Sequence, residues 1–447
     1  MSKFSQTCSL ALVLFVSLSY PAFVAAQSTP VVSFEDVDLN NRGLTLYKAG
    51  KVDDAVALFR QALEISPDFP EALGNLGLAL DAKGKDDEAI ADFEKALKLK
   101  PTDAIAQSNL GLALYHEGKY SESIAAYQKA LTLKPDLPQA ANGLGAALFA
   151  SGQTDDAIEG YRKAVALSPK YVDALNNLAA ALDSKQQWDD AISVYRDALE
   201  LEPHAADVRM NYANALAHAG HLDRAIGAYR AVLIDRPNDP TVWVLLGHLF
   251  YKRGRLDEAI AALQKSLALK PDDSDAEFTL ARVFQDQQKF AESIAAYEKG
   301  LALKPGSAHA LYNLGNAYLS AKQPDQAAAS FRKALEAQPE FPEARLALAA
   351  ALEQTGDFDG AVKELEALIA LQPDHADARF SLGNALFHQS KYDSAAASYR
   401  EAIRIRPDFA QAHYNLALAL AQTKDSEGSK KEFEEAQRLD PRLTPPN

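Results

Sequence analysis

The sequence has 447 residues, of which 48% are hydrophobic and 24% charged, and its formal net charge at pH 7 is −15. Proteins that bind nucleic acids need a basic surface to neutralise phosphates, so this acidic composition, with a pI near 5.1, argues against nucleic acid as a partner. The single cysteine, Cys8, excludes an internal disulfide and a cysteine-based metal or redox site.

The first 26 residues have the composition of a secretory signal peptide. Lys3 and the amino terminus supply positive charge, residues 10–18 form an apolar core, and residues 24–26 fit a cleavage site. We therefore expect cleavage before Gln27. Because residues 1–26 contain one lysine and no acid, the net charge of the mature chain becomes −16.

An uncleaved membrane anchor is the alternative interpretation of this segment. Ser17, Ser19 and Pro21 interrupt the apolar run, which is shorter than the ~20 apolar residues that a spanning helix needs. We therefore expect no stable membrane insertion after cleavage. Cys8 precedes the apolar core, which argues against lipid attachment there, and residues 27–35 form a short polar leader.

A proline recurs every 34 residues along most of the chain, without an insertion or a deletion. The series consists of Pro67, Pro101, Pro135, Pro169, Pro203, Pro237, Pro271, Pro305, Pro339, Pro373, Pro407 and Pro441. A fixed period of this size predicts an array of structural repeats. Length alone would suggest about three domains, but the uninterrupted period favours one continuous solenoid.

Residues 70–103 represent the repeating unit and predict two helices. Apolar residues at i, i+3, i+4 and i+7 from Leu73 lie on one helical face. Gly84 follows where a helix ends in a left-handed residue. Asp87 is placed to cap a second helix. Pro101 ends that helix, because proline disfavours the α conformation at the residue before it.

Small residues recur at two positions of the unit. The Gly77 position holds only glycine or alanine, and the Ala89 position only alanine or serine. The Phe93 position holds an aromatic ring, with Leu263 and Leu365 as exceptions. Since glycine lowers helix propensity, we interpret the small residues as a close approach of the two helix backbones and the ring as filling the space that they leave.

This order of large, small and aromatic positions at a period of 34 resembles the tetratricopeptide repeat. Twelve units follow in register: 36–69, 70–103, 104–137, 138–171, 172–205, 206–239, 240–273, 274–307, 308–341, 342–375, 376–409 and 410–443, before a tail at 444–447. The resemblance implies an all-α, right-handed superhelical solenoid of helix-turn-helix repeats. The polar helix predicted near the carboxyl end fits the solubilising cap that such arrays need.

In this family the first helix of each repeat lines a concave groove through positions two, five, six, nine, twelve and thirteen. Asparagines occupy position six or nine in many repeats: Asn41, Asn75, Asn109, Asn177, Asn211, Asn214, Asn313, Asn316, Asn384 and Asn415. The series is similar to the long arrays of O-linked N-acetylglucosamine transferases, whose asparagines hold the backbone of an extended peptide. An amide side chain suits that role because it both donates and accepts hydrogen bonds.

An alternative is that asparagine is only a compositional preference of the repeat, because the series is interrupted after Asn109 and again after Asn211. The later repeats place aromatic residues at inward positions instead: Tyr251, Phe278, Tyr312, Phe380, Phe387 and Tyr414. Exposed aromatic residues are common anchors at interfaces. We therefore predict an amide-rich and an aromatic half of the groove, unless some of these rings pack against a neighbouring repeat.

Five histidines also fall at inward positions: His116, His218, His248, His309 and His388. They belong to five different repeats, whereas a metal site needs clustered ligands, so we expect no bound metal. Acidic residues share these positions: Asp81, Asp173, Asp183, Asp207 and Glu353. A solvated groove, or contacts to basic peptide side chains, explains this recurrence better than catalytic carboxylate pairs.

Because the repeats occupy residues 36–443, no stretch there is available for a catalytic domain. We therefore predict an exported, non-enzymatic scaffold that binds an extended peptide or a helix of partner proteins and needs no cofactor. Two alternatives stay open: an envelope assembly factor that bridges proteins through its outer surface, and a subunit that recruits substrates to a separate enzyme such as a transferase. The expected location is the periplasm or the exterior of a bacterium.

Overall fold

The computed structural model describes residues 33–444, so the predicted signal peptide at 1–26 and most of the polar leader lie outside the described residues. The described residues form 24 α-helices and no β-strand, which confirms the all-α fold class. Within these residues, no helix is both long and apolar enough to span a membrane. The chain divides into two compact units, one ending at Pro237 and the other beginning at Asn238.

The first unit contains six helix pairs. Its helices are α1 (Phe34–Lys48), α2 (Val52–Ile65), α3 (Pro70–Asp81), α4 (Asp86–Leu99), α5 (Ala104–His116), α6 (Tyr120–Leu133), α7 (Pro138–Ala150), α8 (Thr154–Leu167), α9 (Val172–Ser184), α10 (Trp188–Leu201), α11 (Ala206–His218) and α12 (Leu222–Asp235).

The second unit contains six further pairs. Its helices are α13 (Pro240–Lys252), α14 (Leu256–Leu269), α15 (Ser274–Asp286), α16 (Phe290–Leu303), α17 (Ala308–Ser320), α18 (Pro324–Ala337), α19 (Pro342–Thr355), α20 (Phe358–Leu371), α21 (Ala376–His388), α22 (Tyr392–Ile405), α23 (Ala410–Gln422) and α24 (Ser426–Leu439).

From α3 onward, the first helix of each pair begins at the first residue of a predicted repeat. The helix α1 instead begins at Phe34, because Ser33 caps it: the Ser33 hydroxyl accepts from the Asp36 backbone, and the Asp36 carboxylate accepts from the Ser33 backbone. Residues 34–35, assigned to the leader from the sequence, therefore belong to the first helix.

The turn inside each repeat uses a left-handed residue at position fifteen. Gly84 has φ 68°, and seven repeats have glycine there. The other five place Gln186, Gln288, Lys322, Ser390 and Lys424 in the same conformation. The predicted cap at Asp87 is wrong: α4 already begins at Asp86, and its N-cap Lys85 makes no side-chain capping bond. The acidic residues still stabilise the positive end of the helix dipole.

The ring at position twenty-four fills the space beside the small residues of the same repeat. A Cβ atom added at Gly77 would lie 3.0 Å from the Phe93 ring and 3.2 Å from the carbonyl oxygen of Ala89. Phe93 has no exposed surface. The backbones also approach closely in the third repeat, where the Ser123 hydroxyl donates to the carbonyl oxygen of Gly111 at 2.6 Å. Both parts of the packing interpretation therefore agree with the structure.

Within each unit every helix packs against the next helix in the chain. The first helices of neighbouring repeats also contact each other: for example, α1 contacts α3, and α7 contacts α9. Residues about 35 positions apart are thereby brought side by side. In the last repeat, Ala436 is the one buried residue of α24, consistent with a polar end of the array.

Candidate functional site

A cavity of about 630 Å³ opens on the first helices of the third to sixth repeats, within the first unit. Most of its lining residues occupy positions two, five, six, nine, twelve and thirteen of those helices, which are the groove positions implied by the family resemblance. Its amide groups come from Asn176, Asn177, Asn211 and Asn214, and its apolar surface from Tyr115, Ala146, Phe149, Tyr161, Ala180, Tyr195 and Met210.

The amides of neighbouring repeats are hydrogen-bonded to each other. The Nδ2 atom of Asn211 donates to Oδ1 of Asn176 at 3.0 Å, and that of Asn177 donates to Oδ1 of Asn142 at 3.1 Å. The Nδ2 atom of Asn75 likewise donates to Oδ1 of Asn40 at 2.9 Å. In each case position six bonds position five of the preceding repeat. Such a bond uses one N–H of the donor amide and orients both side chains.

Two carboxylates in the wall of the cavity are each bonded to a basic side chain. Nδ1 of His218 lies 3.0 Å from Oδ1 of Asp183, and the Arg236 guanidinium donates to Oδ1 of Asp207 at 2.9 Å. Burial, and then the charge of Asp183, raises the pKa of Tyr195 well above its usual value, so this phenol is neutral at physiological pH. With both carboxylates hydrogen-bonded to basic side chains, the cavity offers amides and apolar surface to a ligand.

The predicted asparagines of the first three repeats do not line this cavity. Asn41 is exposed on α1, whereas Asn75 and Asn109 are only 3% and 4% exposed. The Oδ1 atom of Asn75 and the Nδ2 atom of Asn109 have no hydrogen-bond partner among the described residues. Asn75 joins α3 to α1 through its bond to Asn40, so part of its role is structural. Peptide binding by these three residues stays a prediction.

The asparagine at position nine accepts a hydrogen bond from the second helix of the same repeat in two repeats. The Tyr229 hydroxyl donates to Oδ1 of Asn214, and the Tyr399 hydroxyl donates to Oδ1 of Asn384 at 2.8 Å. Asn384 also accepts from Asn415 at 2.8 Å. The remaining predicted asparagines, Asn313 and Asn316, are half-buried on α17.

The predicted aromatic residues of the second unit are all half-buried. Four occupy position five and pack against the ring at position twenty-four of their own repeat, with ring centroids 5.1 to 6.4 Å apart: Phe278 with Tyr297, Tyr312 with Phe331, Phe380 with Tyr399, and Tyr414 with Phe433. These rings therefore share the core of their own repeats rather than standing free in a groove.

The two aromatic residues at position twelve differ from each other. The Tyr251 hydroxyl donates to Oδ2 of Asp286 in the next repeat at 2.7 Å. Burial and this bond raise the pKa of Tyr251. Phe387 packs edge-on against Tyr392 of its own repeat, with centroids 5.2 Å apart. Tyr251 thus bonds to a neighbouring repeat. Phe380 and Phe387 also pack against an apolar cluster that includes Leu416 and Leu420 of the following repeat.

The histidines at groove positions contact different kinds of side chain. Nδ1 of His116 lies 2.9 Å from Oδ1 of Asp81, and this bond raises the pKa of His116. His248 contacts the Thr279 hydroxyl at 3.1 Å, and burial lowers its pKa. The ring of His309 lies 5.1 Å from that of Phe341, and His388 stacks on Phe358 at 4.8 Å.

Burial also raises the pKa values of two acidic residues of the groove. It raises the pKa of Glu353 to about 7 and, together with the charge of Glu202, raises that of Asp173. Asp183 and Asp207 are bound to His218 and Arg236, as described above.

Sequence reasoning missed several residues that line the cavity. Asn176 and Met210 occupy position five, which the family resemblance marks as inward, so their positions were an available signal. Tyr161 and Tyr195 were identified only as core rings. Arg236 follows α12 outside both helices of its repeat, and nothing in the local sequence points to it.

Comparisons with protein families cover most of the repeat array. A model described as "TPR repeat" matches residues 111–152, 145–183 and 383–424. Two models described as "Tetratricopeptide repeat" match residues 40–104 and 410–443. A model described as "Cilia and flagella-associated protein 70 C-terminal domain" matches residues 172–380. No curated protein sequence matches the chain.

Three solved structures illustrate the structural similarities. The anaphase-promoting complex hetero-tetramer Cut9-Hcn1 is 14% identical, with a TM-score of 0.39, over 92% of this chain and 95% of that chain. YrrB, titled a TPR protein with an unusual peptide-binding site, is 24% identical, with a TM-score of 0.37, over 40% and 93%. PilF of Pseudomonas aeruginosa is 20% identical, with a TM-score of 0.42, over 46% and 93%.

Proposed function

This chain belongs to the tetratricopeptide-repeat family of protein-interaction scaffolds, and on that premise we propose that it holds an extended segment of a partner protein in the cavity of its third to sixth repeats. The bound segment contributes backbone amides and at least one apolar side chain. The scaffold itself performs no chemistry. The more specific similarity to O-linked N-acetylglucosamine transferases stays a prediction.

The observation that carries this proposal is the composition of the cavity. Asn176 and Asn211 are oriented by their mutual hydrogen bond, and each retains polar atoms for a peptide C=O or N–H. Met210 and Phe149 line the same cavity, where a flexible thioether and a ring suit an apolar side chain. Amide groups beside apolar surface match a peptide better than a charged small molecule.

The test uses a substitution that fills the cavity without removing one of its hydrogen bonds. Ala180 is half-buried and lines the cavity, so Ala180→Arg is expected to block the segment. A photo-crosslinking residue placed at Ser184, an exposed residue of the cavity lining, should capture a partner from the native cell fraction in the parent but not in this variant. Equal capture by both proteins, with unchanged thermal midpoints, would show that the cavity is not the binding site.

A second candidate function, bridging of proteins through the outer surface, has one observation in its favour. Position thirty carries an exposed aliphatic residue in five consecutive repeats of the first unit: Ile65, Leu99, Leu133, Leu167 and Leu201, at 38 to 44% exposure. Leu167→Arg places the same side chain on this outer surface as Ala180→Arg places in the cavity, and it tests the bridging function. If this change abolishes capture and Ala180→Arg does not, the bridging function replaces the groove function. Copurification with a transferase or a protease would instead favour a substrate-recruiting subunit.

We also propose export, with cleavage before Gln27, into a bacterial periplasm or medium. The support is the charge and hydropathy pattern of residues 1–26. Amino-terminal sequencing of the chain recovered from the periplasmic fraction should begin at Gln27. Recovery of an intact amino terminus from the membrane fraction would indicate the anchor instead.

A further inference from the structure

Three potential metal ligands meet at one end of the second and third repeats. Asp81 ends α3, Asp86 begins α4 and His116 ends α5. One carboxylate oxygen from each aspartate and one imidazole nitrogen lie within 4.8 Å of one another. Asp81 is 7% exposed, so its carboxylate is largely removed from water.

Asp86 departs from the pattern of the repeat. Its position, the seventeenth of the unit, holds a charged residue in no other repeat. The other eleven are Val52, Tyr120, Thr154, Trp188, Leu222, Leu256, Phe290, Pro324, Phe358, Tyr392 and Ser426. An acid has thus replaced a mainly apolar residue. Its Oδ1 atom is buried and has no hydrogen-bond partner among the described residues.

The charges around Asp86 are mostly of the same sign. The acidic side chains of Asp81, Asp87 and Glu117 lie near the Asp86 carboxyl. The imidazole of His116 also lies close to it. Like charges at short range destabilise each other, and a divalent cation would relieve that repulsion.

We propose that Asp81, Asp86 and His116 bind a divalent transition-metal ion of the zinc type. One imidazole nitrogen and two carboxylate oxygens form a ligand set that zinc accepts. Ligands about 2.0–2.2 Å from zinc lie roughly 3.3 Å apart at tetrahedral corners. The 2.9 Å separation of His116 Nδ1 and Asp81 Oδ1 is close to that spacing. Asp86 approaches by side-chain rotation, and water completes the coordination.

The fifth and sixth repeats provide an internal control. Asp183 and His218 occupy the same two repeat positions as Asp81 and His116, and their Oδ1 and Nδ1 atoms are 3.0 Å apart. The position that corresponds to Asp86 in the fifth repeat is occupied by Trp188. That pair therefore offers two ligands instead of three and should not retain the metal.

The experiment is calorimetric titration of the tag-free chain with zinc chloride, followed by thermal unfolding with and without zinc. We expect one site, a rise in the thermal midpoint on zinc addition, and a loss of affinity of roughly ten-fold or more in Asp86→Asn and in His116→Gln. Asp183→Asn and His218→Gln should bind zinc as the parent does.

Circular dichroism without metal establishes that each variant is folded, so a loss of zinc binding can be assigned to the missing ligand. The proposal is overturned if the parent binds no zinc, if Asp86→Asn binds it as tightly as the parent, or if His218→Gln weakens binding as much as His116→Gln.

Discussion

At the scale of single residues, one carboxyl is held in an environment that opposes its charge. Glu353 lies on the groove side of α19, its Oε1 atom is buried without a hydrogen-bond partner among the described residues, and burial raises its pKa to about 7 from the ordinary 4.5. The folded state therefore binds a proton that the unfolded state releases between these two values.

This predicts a pH-dependent stability. Because the folded chain binds more protons than the unfolded chain between pH 4.5 and 7, the free energy of unfolding falls as pH rises through that window. Glu353→Gln should be more stable than the parent at pH 8 by roughly 1 to 2 kcal/mol, after a discount for partial exposure of the side chain. At pH 4 the two should be nearly equal.

Urea unfolding at the two pH values measures this difference. Glu343→Gln in the same helix, with an exposed side chain, is the matched control and should show little change at either pH. An equal effect of Glu353→Gln at pH 4 and pH 8 would show that the charge of Glu353 is not responsible.

At the scale of elements, amide pairs join the first helices of neighbouring repeats. The bonds Asn75 to Asn40, Asn177 to Asn142 and Asn211 to Asn176 each connect residues 35 positions apart. A buried amide that loses its partner retains the desolvation penalty without the compensating bond. The asparagines predicted to bind a peptide therefore also stabilise the contact between the first helices of neighbouring repeats.

Asn75→Ala should lower stability, because it leaves the Asn40 side chain buried without its partner. The expected loss is about 1–3 kcal/mol. Asn41→Ala, at an exposed position of the same helix layer, should leave stability nearly unchanged. Both are measured by chemical unfolding. If Asn75→Ala weakens partner capture with no loss of stability, the residue is a binding residue and its structural role is minor.

At the scale of the whole molecule, the array depends on each repeat covering the apolar face of its neighbour. The last repeat buries Leu416 and Leu420 against Tyr399 of the preceding one. Its final helix then turns a polar surface outward, with Ala436 alone buried. The polar helix thus ends the core without exposing it.

Deletion of residues 410–447 should expose the Tyr399 face. We expect a lower thermal midpoint and self-association, detected by size-exclusion chromatography with light scattering. Deletion of residues 441–447 alone, which follow α24, is the control and should behave as the parent does. A monodisperse product with the parent's midpoint after the longer deletion would show that the last repeat is not needed as a cap.

The sequence by itself determined the helix pairs, because their signals are local. The 34-residue period, the left-handed turn at Gly84 and the fit of Phe93 beside Gly77 all involve residues within one repeat. The family resemblance also identified the inward positions that line the cavity. The cap predicted at Asp87 was misplaced by two residues, because hydrogen bonding at the helix end sets the boundary and makes Lys85 the N-cap.

Only the tertiary structure decided which polar groups meet. Asp81 and His116, or Asn40 and Asn75, lie in different repeats, and their contact depends on how neighbouring first helices are offset. The same holds for Arg236 at the cavity wall. A one-dimensional pattern specifies the face on which a side chain lies, but its partner and its burial are set by the adjacent repeat that covers it.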